Sequence, residues 1–283
     1  MTCSVCNDTR WKTVTSAGVE TVVRCDCWRD ELATRLLKDA RIPPRFGRAE
    51  LDTFEPDTDS QRDALRRARD FVAQFPVVEK GLLFHGPYGV GKTHLAVAIL
   101  KAVIRRCGAK GYFFETPDLL RQVRNTYNNS VDETELGVLG PVVKAELLVL
   151  DDLGTEKTSE WVQETLGLVI NQRYNARRPT ILTSNLRDPL DNTDPNSFAF
   201  QIGARTRSRL REMCEWVEIQ GADIRDADRH SAAARIGEWP APPDNIKKGG
   251  LPDKSRSRAR ANLRDTRDRP SADLKWSGGK AGS

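Results

Sequence analysis

Apolar residues recur along the 283-residue chain with two alternating periods, and the alternation sets out its organisation. Leu147-Leu-Val-Leu150 is a continuous apolar run that suits a strand covered on both faces, Gly81-Leu-Leu-Phe-His85 reads as a buried strand, and Gly111 to Glu115, Thr180-Ile-Leu-Thr183 and Glu215 to Ile219 read as further strands. Helical spacing fills the intervals. Leu65, Ala68, Phe71 and Val72 stripe a capped helix from Ser60 to Phe75, and Leu95, Ile99, Leu100 and Val103 stripe the helix after the first strand. Asp118 to Tyr127 is a further helix, Val162, Leu166, Val169 and Ile170 stripe Ser159 to Ala176, and Phe198 to Met213 is expected as one helix. Strands alternating with helices imply an α/β fold built on a doubly wound parallel sheet.

The first 40 residues follow another pattern. Trp11 to Val14, the turn at Ser16-Ala-Gly18 and Val19 to Val23 read as a β-hairpin. Cys3 and Cys6 precede it, and Cys25 and Cys27 follow it. Paired cysteines presented from two turns suit the tetrahedral thiolate geometry of structural zinc; a redox pair or free thiols are the alternatives. Trp28 to Ala40 is helical, with Leu32, Leu36 and Leu37 on one face, and Pro43-Pro44 ends it and marks a domain boundary. Cys107 and Cys214 fall on predicted helices and are expected to be buried, inert thiols.

Between the first strand and its helix stands Gly86-Pro-Tyr-Gly-Val-Gly-Lys-Thr-His94. Gly86, Gly89 and Gly91 let successive N–H groups converge on phosphates, Lys92 supplies the point charge and Thr93 ligates Mg²⁺. Pro87, Tyr88, Val90 and His94 complete the expected nucleotide-binding stretch. The helix behind it aims its positive end at the same anion. The third strand ends in Asp151-Asp152, where a phosphate-loop protein holds Mg²⁺ and orients the attacking water; Asp151 suits the first role and Asp152 the second. Asn185, after the fourth strand, can hydrogen-bond the water or the terminal phosphate. Arg121 and Arg124 either touch DNA or are solvated, and Trp161 either stacks on a base or packs on a loop. Arg205, Arg207, Arg209 and Arg211, spaced by two, spread around their helix.

The chain carries a formal charge of +5, and residues 226–283, with 13 basic and 8 acidic side chains, hold all of that excess. Apolar periodicity is lost from about Arg235, so residues 229–283 are expected to be a disordered basic tail, either a solvated extension or an electrostatic arm on nucleic acid. No apolar stretch approaches a membrane span, and the N-terminus lacks the apolar core of a signal peptide; a cytoplasmic location is expected.

The combination of Arg41-Ile-Pro-Pro-Arg-Phe46, GPYGVGKTHLA, LLVLDDLG at 147–154, ILTSN at 181–185 and RTRSRLREMCEWVEI at 205–219 resembles the bacterial replicative helicase loaders of the DnaC/DnaI type and the similar IstB transposition helper ATPases, all of the AAA+ class. The resemblance covers about residues 41–225 and implies an AAA+ domain at 41–228 with strand order 5-1-4-3-2. It implies that Lys92 and Thr93 are the Walker A pair, Asp151 and Asp152 Walker B, Asn185 sensor 1, Arg209 an arginine finger for the neighbouring subunit, and Arg225 the sensor 2 arginine. Where most AAA+ proteins have Glu, this chain has Asp152, and the compact chain after Arg225 departs from AAA+ proteins with a full helical lid. The implied cofactors are ATP, Mg²⁺ and Zn²⁺. The implied partners are a replicative DNA helicase, single-stranded DNA and further copies of the chain in an ATP-dependent homo-oligomer. The N-terminal zinc segment is similar to that of some loaders, in which it engages the helicase. A transposition helper and a non-hydrolysing nucleotide-dependent adaptor are the competing functions.

Overall fold

The computed structural model describes residues 3–16, 18–127, 134–186, 188 and 197–224. At the N-terminus, β1 (Trp11–Ser16) and β2 (Val19–Arg24) pair antiparallel from Trp11 opposite Arg24 to Ser16 opposite Val19. The hairpin exposes Trp11, Val14, Val19 and Val22 and has almost no core of its own. A two-stranded hairpin is marginal in water, so the ends of this one depend on its cysteine turns and on helix α1 (Cys27–Asp39).

After a short 3₁₀ turn at Pro44–Phe46 comes α2 (Asp59–Gln74), fastened at its start by a capping box in which Thr58 accepts from the Gln61 N–H and the Gln61 side chain accepts from the Thr58 N–H. Then follow β3 (Gly81–His85), α3 (Lys92–Cys107), β4 (Gly111–Glu115), α4 (Thr116–Asn125), α5 (Glu135–Lys144), β5 (Leu147–Asp151), α6 (Glu160–Asn175), β6 (Thr180–Ser184), α7 (Phe198–Ile202), α8 (Ala204–Met213) and β7 (Cys214–Glu218). The five strands β3 to β7 are parallel in the order β4-β5-β6-β3-β7, so the first strand of the sheet lies between the fourth and the fifth. This is the expected 5-1-4-3-2 order.

Alternate residues of each strand serve the two faces. Leu82, Phe84, Leu147, Val149 and Ile181 pack beneath α1, α2 and α3, while Leu83, Leu148, Leu150 and Leu182 pack beneath the helices of the other face. Burial of each such side chain contributes about 1.5–3 kcal/mol. Both faces being covered explains the unbroken apolar runs.

Four features depart from the sequence reading. The helix expected over Phe198–Met213 is two helices, because Gly203 at φ 85° and ψ 141° turns the chain between them. Phe198 is thereby seated edge-on to Trp216, with ring centroids 5.1 Å apart. Helix α5 has no counterpart among the elements the sequence predicts, because Gly137, Gly140 and Pro141 give its ten residues poor helical propensity. Cys107 is exposed at the end of α3, and Cys214 is buried but begins β7 instead of lying on a helix. Trp161 is half-buried against the core on the face of Leu83, Leu148, Leu150 and Leu182, and the Arg124 guanidinium lies 4.6 Å from its ring centroid. The tail at 229–283 and Arg225 lie outside the described residues.

Candidate nucleotide and metal sites

The phosphate loop joins β3 to α3 along the C-terminal edge of the sheet. Gly86 has φ 142°, and a Cβ there would stand 2.0 Å from the backbone oxygen of Ile219, which cannot retreat because the Ile219 N–H is bonded to His85 at 2.8 Å. Gly91, at φ 94°, caps α3 in a left-handed conformation. The loop therefore closes tightly at its start and places the N–H groups of the first turn of α3 at its concavity. Lys92 is 5% exposed, and its Nζ donates to the carbonyls of Gly86 at 2.9 Å and Pro87 at 2.5 Å, so the ammonium lies across the loop.

Opposite the loop, the ends of β5 and β6 are joined through Thr183. Its buried hydroxyl donates to Asp151 Oδ1 at 2.6 Å and accepts from the Asp152 N–H at 2.9 Å. Asp152 sits at φ 56°, and the Asn185 Nδ2 donates to its Oδ1 at 3.0 Å. Burial pushes the Asp151 carboxyl up to about 6, against the pull of the Thr183 hydrogen bond. Its Oδ2 is buried with no hydrogen-bond partner. An unpaired carboxylate oxygen beside a threonine hydroxyl, at the mouth of a phosphate loop, fits a hard divalent cation such as Mg²⁺.

Between these groups lies a cavity of about 290 Å³ lined by Arg45, Phe46, Tyr88, Gly89, Gly91, Lys92, Thr93, His94, Asp152, Asn185 and Ile224. Gly86, Pro87, Val90 and Asp151 form the loop and strand end behind that lining. A larger cavity of about 590 Å³ opens beside Lys80, Arg178 and Pro179, at the other end of the strands, and contains none of this chemistry. His94 is turned toward residues 50–54, with Nε2 3.0 Å from the Glu50 carbonyl and 3.4 Å from the Thr53 hydroxyl. Arg45, Phe46 and Thr183 were not singled out for the site from sequence. Arg45 and Phe46 fall within the Arg41–Phe46 motif, and Thr183 is one of three hydroxyl residues in the fully buried strand Thr180–Ser184.

Helix α8 sorts its four arginines into two pairs. Arg207 donates to both oxygens of Asp188, at 2.6 and 2.8 Å, and Arg211 reaches the same carboxylate. Arg205 and Arg209 instead share an exposed recess with Ser208, Tyr174 and Glu212, and Arg209 does not enter the nucleotide cavity of its own chain.

At the N-terminus the sulfurs of Cys3, Cys6, Cys25 and Cys27 all lie within 4.8 Å of one another, with Cys3 to Cys25 at 3.8 Å and Cys6 to Cys27 at 3.4 Å. Four thiolates at about 2.3 Å from a tetrahedral zinc would be about 3.8 Å apart, so the cluster fits the ion. The N–H groups of Cys6 and Val5 pull the Cys3 thiol down to about 7, whereas hydrogen bonding with Cys6 pushes Cys27 up. Four adjacent sulfurs cannot all ionise without a cation among them.

The family model for IstB-like ATP binding protein matches residues 18–232. The chain belongs to this family. It is 25% identical over 177 residues to the replicative helicase loader DnaC of Escherichia coli strain K12, covering 62% of this chain and 69% of that one. It is 35% identical over 150 residues to the ATP-binding protein of insertion sequence IS5376 from Geobacillus stearothermophilus, covering 53% of this chain and 57% of that one. Among solved structures, that of a DnaC helicase loader has 39% identity and a TM-score of 0.56, and the match covers 63% of this chain and all of the other. The strand order and the position of the phosphate loop are those of the AAA+ fold.

Proposed function

We propose that this protein is an ATP-hydrolysing AAA+ helicase loader that binds a replicative DNA helicase and helps place it on single-stranded DNA. The observation that carries the ATPase reading is the facing pair of arrangements on one cavity: Lys92 and Thr93 on the phosphate loop, and Asp152 held by Asn185 and Thr183 across from them. The loader reading draws its support from the relatives named helicase loader DnaC.

In this reading the loop N–H groups and Lys92 bind the phosphates of ATP. Thr93 and Asp151 would hold Mg²⁺, which when bound neutralises charge on the β- and γ-phosphates. Asp152 takes the proton of the attacking water as general base, and Asn185 fixes the carboxylate so that one oxygen stays aimed at the cavity. Arg209, on a face away from its own nucleotide cavity, serves the nucleotide of the adjacent subunit in a homo-oligomer, and Arg225 contacts the phosphates from the end of the domain. Cys3, Cys6, Cys25 and Cys27 hold one zinc that fixes the hairpin of an N-terminal domain, residues 1–40, as the surface for the helicase. Residues 41–228 form the ATPase domain and 229–283 a basic extension.

The identity to an insertion-sequence ATP-binding protein favours a second reading, a transposition helper using the same site. Affinity capture with the replicative helicase and with a cognate transposase separates them. Capture of the helicase in ATP, and its loss in Lys92→Ala, is expected; capture of the transposase alone would overturn the loader reading. Nucleotide-dependent capture without any turnover would leave an adaptor, and the hydrolytic role of Asp152 would be wrong.

A further inference from the structure

The segment that leads into the ATPase domain runs along the free edge of the sheet. The Phe113 N–H donates to the Ala40 carbonyl at 2.8 Å, the Arg41 guanidinium lies 4.8 Å from the Phe114 ring centroid, and Phe46 packs on Phe113 at 6.4 Å. These contacts deliver Arg45 to the C-terminal end of β4, where its Nη2 is 2.9 Å from Glu115 Oε1. Glu115 stands opposite Asp151 in the parallel register, so Arg45 is anchored one strand away from the proposed Mg²⁺ residue. The same arginine lines the cavity with Lys92, Thr93, Asp152 and Asn185. Among the described residues of that lining, Arg45 and Lys92 are the two that carry permanent positive charge.

Glu115, Asp151 and Asp152 gather at neighbouring strand ends, and a triphosphate brings more negative charge to the same place. A cation on this side favours the terminal phosphate most. The Arg45 side chain is 61% exposed, one guanidinium nitrogen bonds Glu115 and the guanidinium carbon lies 4.7 Å from the Phe46 ring centroid, so the remaining donors of its five-donor fork can turn to a phosphate while these contacts keep the arm in position. We propose that Arg45 is a further nucleotide-binding residue, acting on its own subunit's ATP by contacting the terminal phosphate, with Glu115 as its positioning residue. The inference rests on the ATP-binding reading and deepens it. It makes Arg45 a discriminator of triphosphate from diphosphate, because a diphosphate lacks the group that the fork would meet.

Competition titrations of the full chain with Mg-ATP and Mg-ADP, against a fluorescent ADP analogue, test this. Arg45→Ala should weaken ATP by about tenfold, the effect of losing one charge-assisted contact, and leave ADP within about twofold; retained ADP binding also shows that the variant is folded. Arg45→Lys, which keeps the charge but loses the fork, should fall between wild type and Arg45→Ala. Equal weakening of ATP and ADP, or no change in either, would overturn the proposal. Lys92→Ala in the same titration should lose both nucleotides; if it binds both normally, the failure belongs to the phosphate-loop assignment itself.

Discussion

Replacing Thr183 by valine keeps the shape of a fully buried side chain and removes one hydroxyl that serves both acids of the site. That hydroxyl donates to Asp151 Oδ1 at 2.6 Å and accepts from the Asp152 N–H at 2.9 Å. Losing a hydrogen bond to a buried carboxylate costs about 1.5–3 kcal/mol, and leaving a buried N–H without an acceptor costs a further 1–3 kcal/mol or so. Part of this is recovered by relaxation, so Thr183→Val should lower unfolding stability by about 2–4 kcal/mol. Thr183→Ser is the informative partner. It retains the hydroxyl and deletes one buried methyl group, at a cost of about 1 kcal/mol. Urea unfolding of the three proteins should therefore rank wild type above serine and serine above valine. The ATPase rate should follow the same order, with valine at least about tenfold down, because Asp152 is held in a left-handed conformation by this bond and a small misplacement of a catalytic group is costly. If valine proved as stable as serine, or turned over ATP as fast as wild type, the reasoning that Thr183 organises both acids would be refuted.

Three further outcomes are expected. Metal analysis of the purified chain should find about one zinc by the four-sulfur ligand count, and a strong chelator should release it together with loss of helicase capture; four freely titratable N-terminal thiols in undenatured protein would refute the site. Lys92→Ala should abolish ATP binding, whereas Asp152→Asn should bind ATP and lose turnover, so equal ATP affinity in Lys92→Ala and wild type would refute the loop assignment. A mixture of Arg209→Ala and Lys92→Ala subunits should hydrolyse more ATP than either alone, with a gain that grows with protein concentration; nearly normal activity of Arg209→Ala, with no rescue on mixing, would show that this arginine serves only its own surface.

Whatever depended on contiguous residues was legible in the sequence. The phosphate loop is a local structure: its glycines, its lysine and the helix that follows are adjacent in the chain, and the strands at Leu147–Asp151 and Thr180–Ser184 are buried on both faces because the sheet is covered twice. The four cysteines were visible for the same reason, since two short spacings flank one hairpin. Tertiary structure decided what has no local cause. Helix α5 forms in spite of Gly137, Gly140 and Pro141 because Val138, Leu139 and Val142 are buried, and because the fully buried Arg173 guanidinium donates to the carbonyls of Val142, Val143 and Ala145 at its end. Gly203 was one glycine within a helical pattern until the seating of Phe198 on Trp216 required a turn there. The assignment of Arg207 and Arg211 to Asp188, the sharing of Thr183 between Asp151 and Asp152, and the delivery of Arg45 to Glu115 each join residues between 19 and 70 positions apart. Spacing along a chain carries no information about such pairs. They exist because the parallel strands bring their C-terminal ends to one edge of the sheet, where acids and their partners from distant parts of the chain meet.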